Sequence, residues 1–224
     1  FDSYYLESYR GIIIKERNME GFRYNGAFYF PRPVTINDIE YPYPYKLTKL
    51  WGYYIWGAPE IIKKERKVLL RYRKLLEMLL PNPIMPDVIF TKIPAEFPHS
   101  GQYSFQEEME IVMTVYVSWK EKEGAPALPH ELAHHVYILL PEETKEKTYQ
   151  LWKKIKNLEN FQLLAEGRVL RDIMPHAGHP WDGPEEMFAS ALHLLQLGQG
   201  LPQKIAEEII KQVLGKEVIE VMKR

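Results

Sequence analysis

The most constraining feature of this chain is a nearly uncharged stretch of helical pattern that holds three of its seven histidines. Residues 127–137 read Ala-Leu-Pro-His-Glu-Leu-Ala-His-His-Val-Tyr, and Glu131 is the one residue among them that is charged at neutral pH apart from any protonated histidine. Pro129 would break the interior of a helix, but it suits the first turn. A helix that begins near this proline and carries so few charges is expected to be buried.

The spacing of the histidines indicates a metal site. His130 and His134 are four residues apart, so on a helix their imidazoles lie on one face, a turn apart, and can both bind one tetrahedral ion. Glu131 projects alongside, within reach of a water on that ion but not as a ligand. His135 points away from this face and is expected to be a polar core residue or the partner of a ligand. The plain alternative is a surface helix with scattered histidines.

Composition limits the chemistry that this site can use. The chain has no cysteine, which excludes a disulfide framework, thiolate zinc sites, iron–sulfur clusters and a cysteine nucleophile. Any metal must be bound by histidines and carboxylates.

The 29 basic and 30 acidic residues nearly balance, which argues against a nucleic-acid binder. No apolar stretch approaches the ~18 residues of a membrane span, so a soluble protein is expected, with a cytoplasmic location favoured over a secreted one. Abundant Lys and Glu with few Asp are typical of thermophile proteins.

The pattern of residue types divides the chain in two. Residues 1–57 contain ten of the fifteen tyrosines and read as strand and loop, with a hairpin expected at Asn25-Gly26. This aromatic, β-rich arm is expected to pack against residues 58–224 and limit access to a cleft, with structural support or an oligomer contact as the alternative. Later strands are expected at 87–93 and 109–119, and helices at 59–80, 129–140, 142–157, 160–173, 184–197 and 202–222.

A catalytic zinc ion needs a third protein ligand and one open position. The metzincin pattern is excluded, because it needs Gly at 137 and His at 140 where this chain has Tyr137 and Leu140. A later helix supplies glutamates instead, in the segment 183–191, Gly-Pro-Glu-Glu-Met-Phe-Ala-Ser-Ala. With this segment the chain resembles the gluzincin metallopeptidases, and locally the group that contains anthrax lethal factor and the Mlc titration factor, whose ligand helix reads Glu-x-Phe-Ala.

The resemblance implies roles for single residues. It makes Glu186 the third zinc ligand, with Glu166 and Glu185 as alternatives. The group has an oxyanion-stabilising Tyr seven residues before the ligand Glu, where this chain has His179, and a protonated imidazole can do the same work. His176 competes for that role. At Ser190 many gluzincins have an acidic residue that bonds a ligand histidine.

These residues together predict an α+β protein: a zincin-like catalytic domain with a backing helix, a small sheet, the HExxH helix and a helical C-terminal half. Its expected function is that of a zinc-dependent endopeptidase in which Glu131 activates water. The partner is then a peptide or protein substrate, which could pair with the strand 109–119 at the rim of the cleft. A zinc-binding interaction protein without turnover is the alternative, and a non-peptidase hydrolase is less favoured because a deformylase would bring a cysteine ligand.

Overall fold

The computed structural model describes residues 22–24, 27–29, 34–36, 39–41, 46–91, 101–106, 112–118, 124–159, 161 and 180–223. Within these ranges the strands are β1 (Phe22–Tyr24), β2 (Ala27–Tyr29), β3 (Val34–Ile36), β4 (Ile39–Tyr41), β5 (Lys46–Leu50), β6 (Tyr53–Gly57), β7 (Asp87–Thr91), β8 (Gly101–Gln106) and β9 (Val112–Ser118). The helices of the same ranges are α1 (Pro59–Leu79), α2 (Leu128–Leu139), α3 (Glu142–Ile155), α4 (Pro184–Leu197), α5 (Gly200–Leu214) and α6 (Lys216–Lys223). The molecule is α+β, as expected.

Seven of the described strands form one mixed sheet in the order β1-β2-β5-β6-β7-β9-β8, and β3 and β4 form a separate hairpin. The pairs β6–β7 and β7–β9 are parallel, and the other pairs of the large sheet are antiparallel. Strands on both sides of residue 57 therefore share one sheet. The division of the chain into an arm and a domain at this point stays a prediction, as does the gating role of the arm.

The strand expected at the rim of a cleft, 109–119, is not the outermost strand among the described residues. β9 corresponds to this expected strand, but it lies between β7 and β8 and pairs with both. Within the described part of the sheet the edge is β8, for which no strand was expected. Its sequence, Gly-Gln-Tyr-Ser-Phe-Gln, lacks the β-branched residues that mark a strand, and the alternation of Tyr103 and Phe105 with polar residues was the only signal.

The helices largely follow the expected pattern. α1 to α4 lie within two residues of their expected ends, and α4 matches 184–197 at both ends. The expected helix 202–222 is instead two helices, because Gly215 adopts a φ of +96° that ends α5. Of the expected helix 160–173 only Phe161 is described. No described helix is both long and apolar enough to cross a bilayer.

Antiparallel pairing joins β1 to β2 and β5 to β6. Tyr24 pairs with Ala27, and the Asn25-Gly26 pair between them, where a hairpin turn was expected, lies outside the described residues. Leu50 pairs with Tyr53 across Trp51 and Gly52, whose φ values of 51° and 85° are both positive, as a type I′ turn requires. This tight turn holds β5 and β6 in register.

The backing helix α1 fixes the start of α2. Buried Tyr72 donates a hydrogen bond of 2.6 Å from its hydroxyl to the carbonyl of Pro129, in the first turn of α2. About two turns earlier on α1, the buried carboxylate of Glu65 accepts the backbone N–H of Ala125 at 2.9 Å. Gly124 has a φ of +77°, and an added Cβ would lie against that carboxylate. Two hydrogen bonds from α1 therefore fix the segment that leads into α2.

Removing the hydroxyl of Tyr72 tests this support. Tyr72→Phe should lower the free energy of unfolding by about 1 kcal/mol, because the Pro129 carbonyl loses a donor in the core. Urea denaturation measures this change. Tyr149→Phe is the control, since that ring is 39% exposed and the change there should stay within about 0.5 kcal/mol. An equal loss in both variants would contradict the assignment.

Candidate metal centre

The helix α2 is buried along nearly its whole length. His130, Glu131 and His134 are each 7% exposed and His135 is fully buried. The helix packs against α4 on one side and against β8 and β9 on another. Buried polar side chains are costly without partners. The neighbouring elements must therefore supply donors and acceptors to each of the four.

Three side chains converge in one place. The Nε2 atoms of His130 and His134 are 3.0 Å apart. Glu186 lies in the first turn of α4. Its Oε2 is 3.2 Å from Nε2 of His130, and its Oε1 is 3.4 Å from Nε2 of His134. Ligands at the 2.0–2.1 Å bond lengths of a tetrahedral zinc ion are separated by about 3.3 Å. Two imidazoles and a carboxylate at these separations are a donor set that fits zinc, and His130, His134 and Glu186 form the group in the described residues that could hold a metal ion.

The neighbouring carboxylate, Glu185, lies on the other side of the His134 ring. Its Oε1 is 2.9 Å from Nδ1 of His134, which donates the hydrogen bond. This bond keeps the proton on Nδ1 and turns the lone pair of Nε2 toward His130 and Glu186. Both carboxylates belong to the first turn of α4, where the helix dipole favours negative charge. Glu185 therefore orients a donor of the site and is not grouped with the donors.

The nearby glutamates shift the pKa values of His134 and Glu131. Burial alone would lower the pKa of His134, but the hydrogen bond to Glu185 and the charges of Glu131 and Glu186 outweigh it, so the pKa is raised. Burial raises the pKa of Glu131 to about 7; the charge of His134 opposes this rise, and that of Glu186 adds to it. The backbone N–H of Tyr103 donates a hydrogen bond to the Glu131 carboxylate and lowers its pKa by a smaller amount.

Glu131 lies directly against the edge strand β8. A Cβ added to Gly101 would lie 2.7 Å from Oε1 and 2.8 Å from Cγ of Glu131, and 2.9 Å from the Cβ of Ala127. These distances are below normal carbon contacts, so the close approach of β8 requires glycine at this position. The sequence analysis identified neither Gly101 nor Tyr103, because it did not predict the strand that carries them.

His135 takes the polar core role that was expected of it. Its Nε2 donates a 2.7 Å hydrogen bond to the carbonyl of Ile84, and its Nδ1 accepts one of 3.1 Å from the hydroxyl of Tyr103. Burial lowers its pKa to about 4, so the ring is neutral.

A further histidine lies near the site. His193 of α4 is 2% exposed, and its ring centroid is 6.2 Å from that of His130. It follows Glu186 by seven residues, which places both on one face of the helix. That spacing was the available sequence signal, and the sequence analysis missed it. His179, His176 and Glu166 lie outside the described residues, and their roles stay predictions.

No protein-family model and no curated protein matches this chain. Among solved structures, it is similar to a protein from Bacteroides caccae that is named as a candidate zinc-binding metallo-peptidase, with 14% sequence identity and a TM-score of 0.33. The match covers 72% of this chain and 64% of that one, so this chain spans less than two thirds of its length.

Three variants distinguish the glutamates by zinc affinity. Glu186→Ala should lose most of the bound metal, because it removes one of the three candidate donors. Glu185→Ala should weaken zinc binding by about 10- to 100-fold, because His134 loses the acceptor that orients it. Glu166→Ala is the control and should leave affinity unchanged. Competition titration with a chromophoric chelator measures all three. Loss of metal in Glu166→Ala, with retention in Glu186→Ala, would move the third ligand to residue 166.

Proposed function

We propose that this protein is a zinc-dependent endopeptidase of the gluzincin type, with His130, His134 and Glu186 as zinc ligands and Glu131 as the general base. The observation that carries the proposal is the convergence of these three side chains at 3.0–3.4 Å next to the buried carboxylate of Glu131, which is not among the donors. A structural metal site would need no such extra carboxylate. A hydrolytic one needs it to move a proton.

The ligands and the base have separate tasks in this proposal. Zinc held by the three donors would polarise a water molecule and the carbonyl of a peptide bond. Glu131 accepts the proton that the water loses on attack and delivers it to the leaving nitrogen. The close contact with Gly101 and the N–H of Tyr103 restrict the carboxylate to one place, so that little reorganisation is needed at the moment of transfer.

The edge strand supports a peptide as the substrate. No described strand pairs with the outer side of β8, and an edge of this kind can accept an extended chain by β-augmentation. Because Glu131 lies beside this strand, a segment that pairs with β8 would bring its backbone carbonyls near the general base. In this proposal β8 has the role that the sequence analysis gave to residues 109–119.

His179 completes the proposal as the donor that stabilises the oxyanion. It precedes Glu186 by seven residues, the position of the oxyanion-stabilising Tyr in the group that the chain resembles. A donor that acts only on charge developed in the transition state raises kcat without tightening substrate binding.

Glu131→Gln tests the general base. The amide is nearly isosteric and cannot accept the proton, so peptide hydrolysis should vanish while zinc content and fold stay as in the wild type. Metal analysis and cleavage of an unfolded protein such as casein measure both. Glu142→Gln is the matched control, because that side chain is 89% exposed on α3. Cleavage by Glu131→Gln at the wild-type rate would show the assignment to be wrong. A wild-type protein that binds zinc and cleaves nothing would favour a non-catalytic zinc protein.

His179→Phe tests the oxyanion donor. Loss of one such donor typically costs about 10²–10³ in kcat, and KM and zinc content should change little. His179→Tyr should restore part of the rate. His176→Phe is measured in parallel, because His176 is the other candidate for the role. Loss of zinc in His179→Phe would instead make His179 a ligand or a structural anchor of its loop.

A further inference from the structure

The side chains of His135 and Tyr103 have no part in the chemistry proposed above, yet they connect three segments of the chain around the site. The Tyr103 hydroxyl of β8 donates to Nδ1 of His135 on α2 at 3.1 Å. Nε2 of the same ring donates to the carbonyl of Ile84, just before β7, at 2.7 Å. The second bond fixes the tautomer, because a carbonyl can only accept, and this leaves Nδ1 as the acceptor for Tyr103. We call this pair of hydrogen bonds the Tyr103–His135 link.

Tyr103 also contacts two of the residues of α2 that belong to the site, Glu131 and His134. Its backbone N–H bonds to the Glu131 carboxylate. Its ring lies nearly parallel to that of His134, with the centroids 6.5 Å apart and an angle of 15° between the planes. One residue of the edge strand is therefore attached to α2 at both ends, by its amide to Glu131 and by its hydroxyl to His135.

The two attachment points lie one helical turn apart on α2. Glu131 and His135 are separated by four residues, about 6 Å along the helix axis, which a tyrosine spans from its backbone to its hydroxyl. A slip of β8 by one residue would move it by about 3.3 Å and turn Tyr103 to the other face of the sheet, which breaks both attachments. The Tyr103–His135 link therefore allows one register of β8 against the helix.

An edge strand needs such a device more than a central strand does. β8 is hydrogen-bonded to β9 on one side, and within the described residues no strand holds its other side. At the same time Gly101 approaches Glu131 so closely that no side chain fits between them. A small displacement of the strand is thus passed directly to the carboxylate.

We propose that Tyr103 and His135 are positioning residues: their link fixes the register of β8 against α2 and thereby holds the Glu131 carboxylate where its reaction needs it. The role of Glu131 in this statement rests on the proposed function. The effect on the strand does not, because it is a property of the fold.

The test compares two buried tyrosines that each lose one hydroxyl. Tyr103→Phe removes the link and keeps the ring and the backbone N–H. Tyr53→Phe is the matched control, because its buried hydroxyl donates 3.0 Å to the carbonyl of Leu69, between β6 and α1, away from Glu131. Hydrogen exchange of peptides that span 101–106, zinc affinity, kcat and KM are measured for both variants and for the wild type.

Tyr103→Phe should speed amide exchange in 101–106 by about 5- to 10-fold, the factor that one net hydrogen bond is worth. It should lower kcat by about 10- to 100-fold through misplacement of Glu131, with zinc affinity unchanged. Tyr53→Phe should show neither effect. Gly101→Ala acts on the same contact from the strand, since the new methyl must push Glu131 away, and it should lower kcat with the link intact.

Three results would overturn the proposal, and two of them concern exchange alone: exchange in 101–106 that is unchanged in Tyr103→Phe, or exchange that is equally fast in Tyr53→Phe. Faster exchange with an unchanged kcat would also overturn it, because the register would then not govern Glu131. If the wild type cleaves no peptide, the proposed function fails by itself, and the exchange comparison still decides whether the link fixes the strand.

Discussion

The burial of α2 is the constraint on which the rest of the structure depends. This helix carries histidines and a glutamate on several of its faces. Such side chains can be buried in a core only if each of them has a hydrogen-bonding or charged partner. Three elements meet this demand: α1 binds the entry of the helix, α4 brings carboxylates to His130 and His134, and β8 brings an amide to Glu131. The arrangement of these elements around α2 is therefore determined by polar contacts as much as by apolar packing.

Two adjacent glutamates at the start of α4 contact different nitrogens of His134. Successive residues on a helix point about 100° apart, so Glu185 and Glu186 reach opposite sides of the His134 ring. Glu185 takes the proton-bearing nitrogen and Glu186 faces the lone pair. This geometry also explains why position 190 can be a serine where many gluzincins have an acidic residue. The carboxylate that bonds to His134, a proposed ligand, comes here from the residue before Glu186, so that none is needed one turn after it.

The sequence predicted the parts of the fold that rest on local rules. α1 and α4 follow apolar spacing that begins at a proline, and His130 and His134 of α2 share one face because they are about one turn apart. The sequence could not assign which carboxylate meets which nitrogen, since that depends on how α4 docks on α2. It also missed the break at Gly215, because the apolar pattern continues on both sides of the glycine.

The failure to predict β8 has a physical cause that concerns function. A central strand uses its backbone groups on both sides and signals itself by apolar, β-branched residues that fill two layers of core. An edge strand keeps one row of N–H and C=O groups for other partners, and β8 gives one of these, the N–H of Tyr103, to Glu131. The same exposure leaves its sequence polar, with a glycine where the carboxylate approaches. The properties that hide the strand from sequence patterns are thus those that let it serve the site.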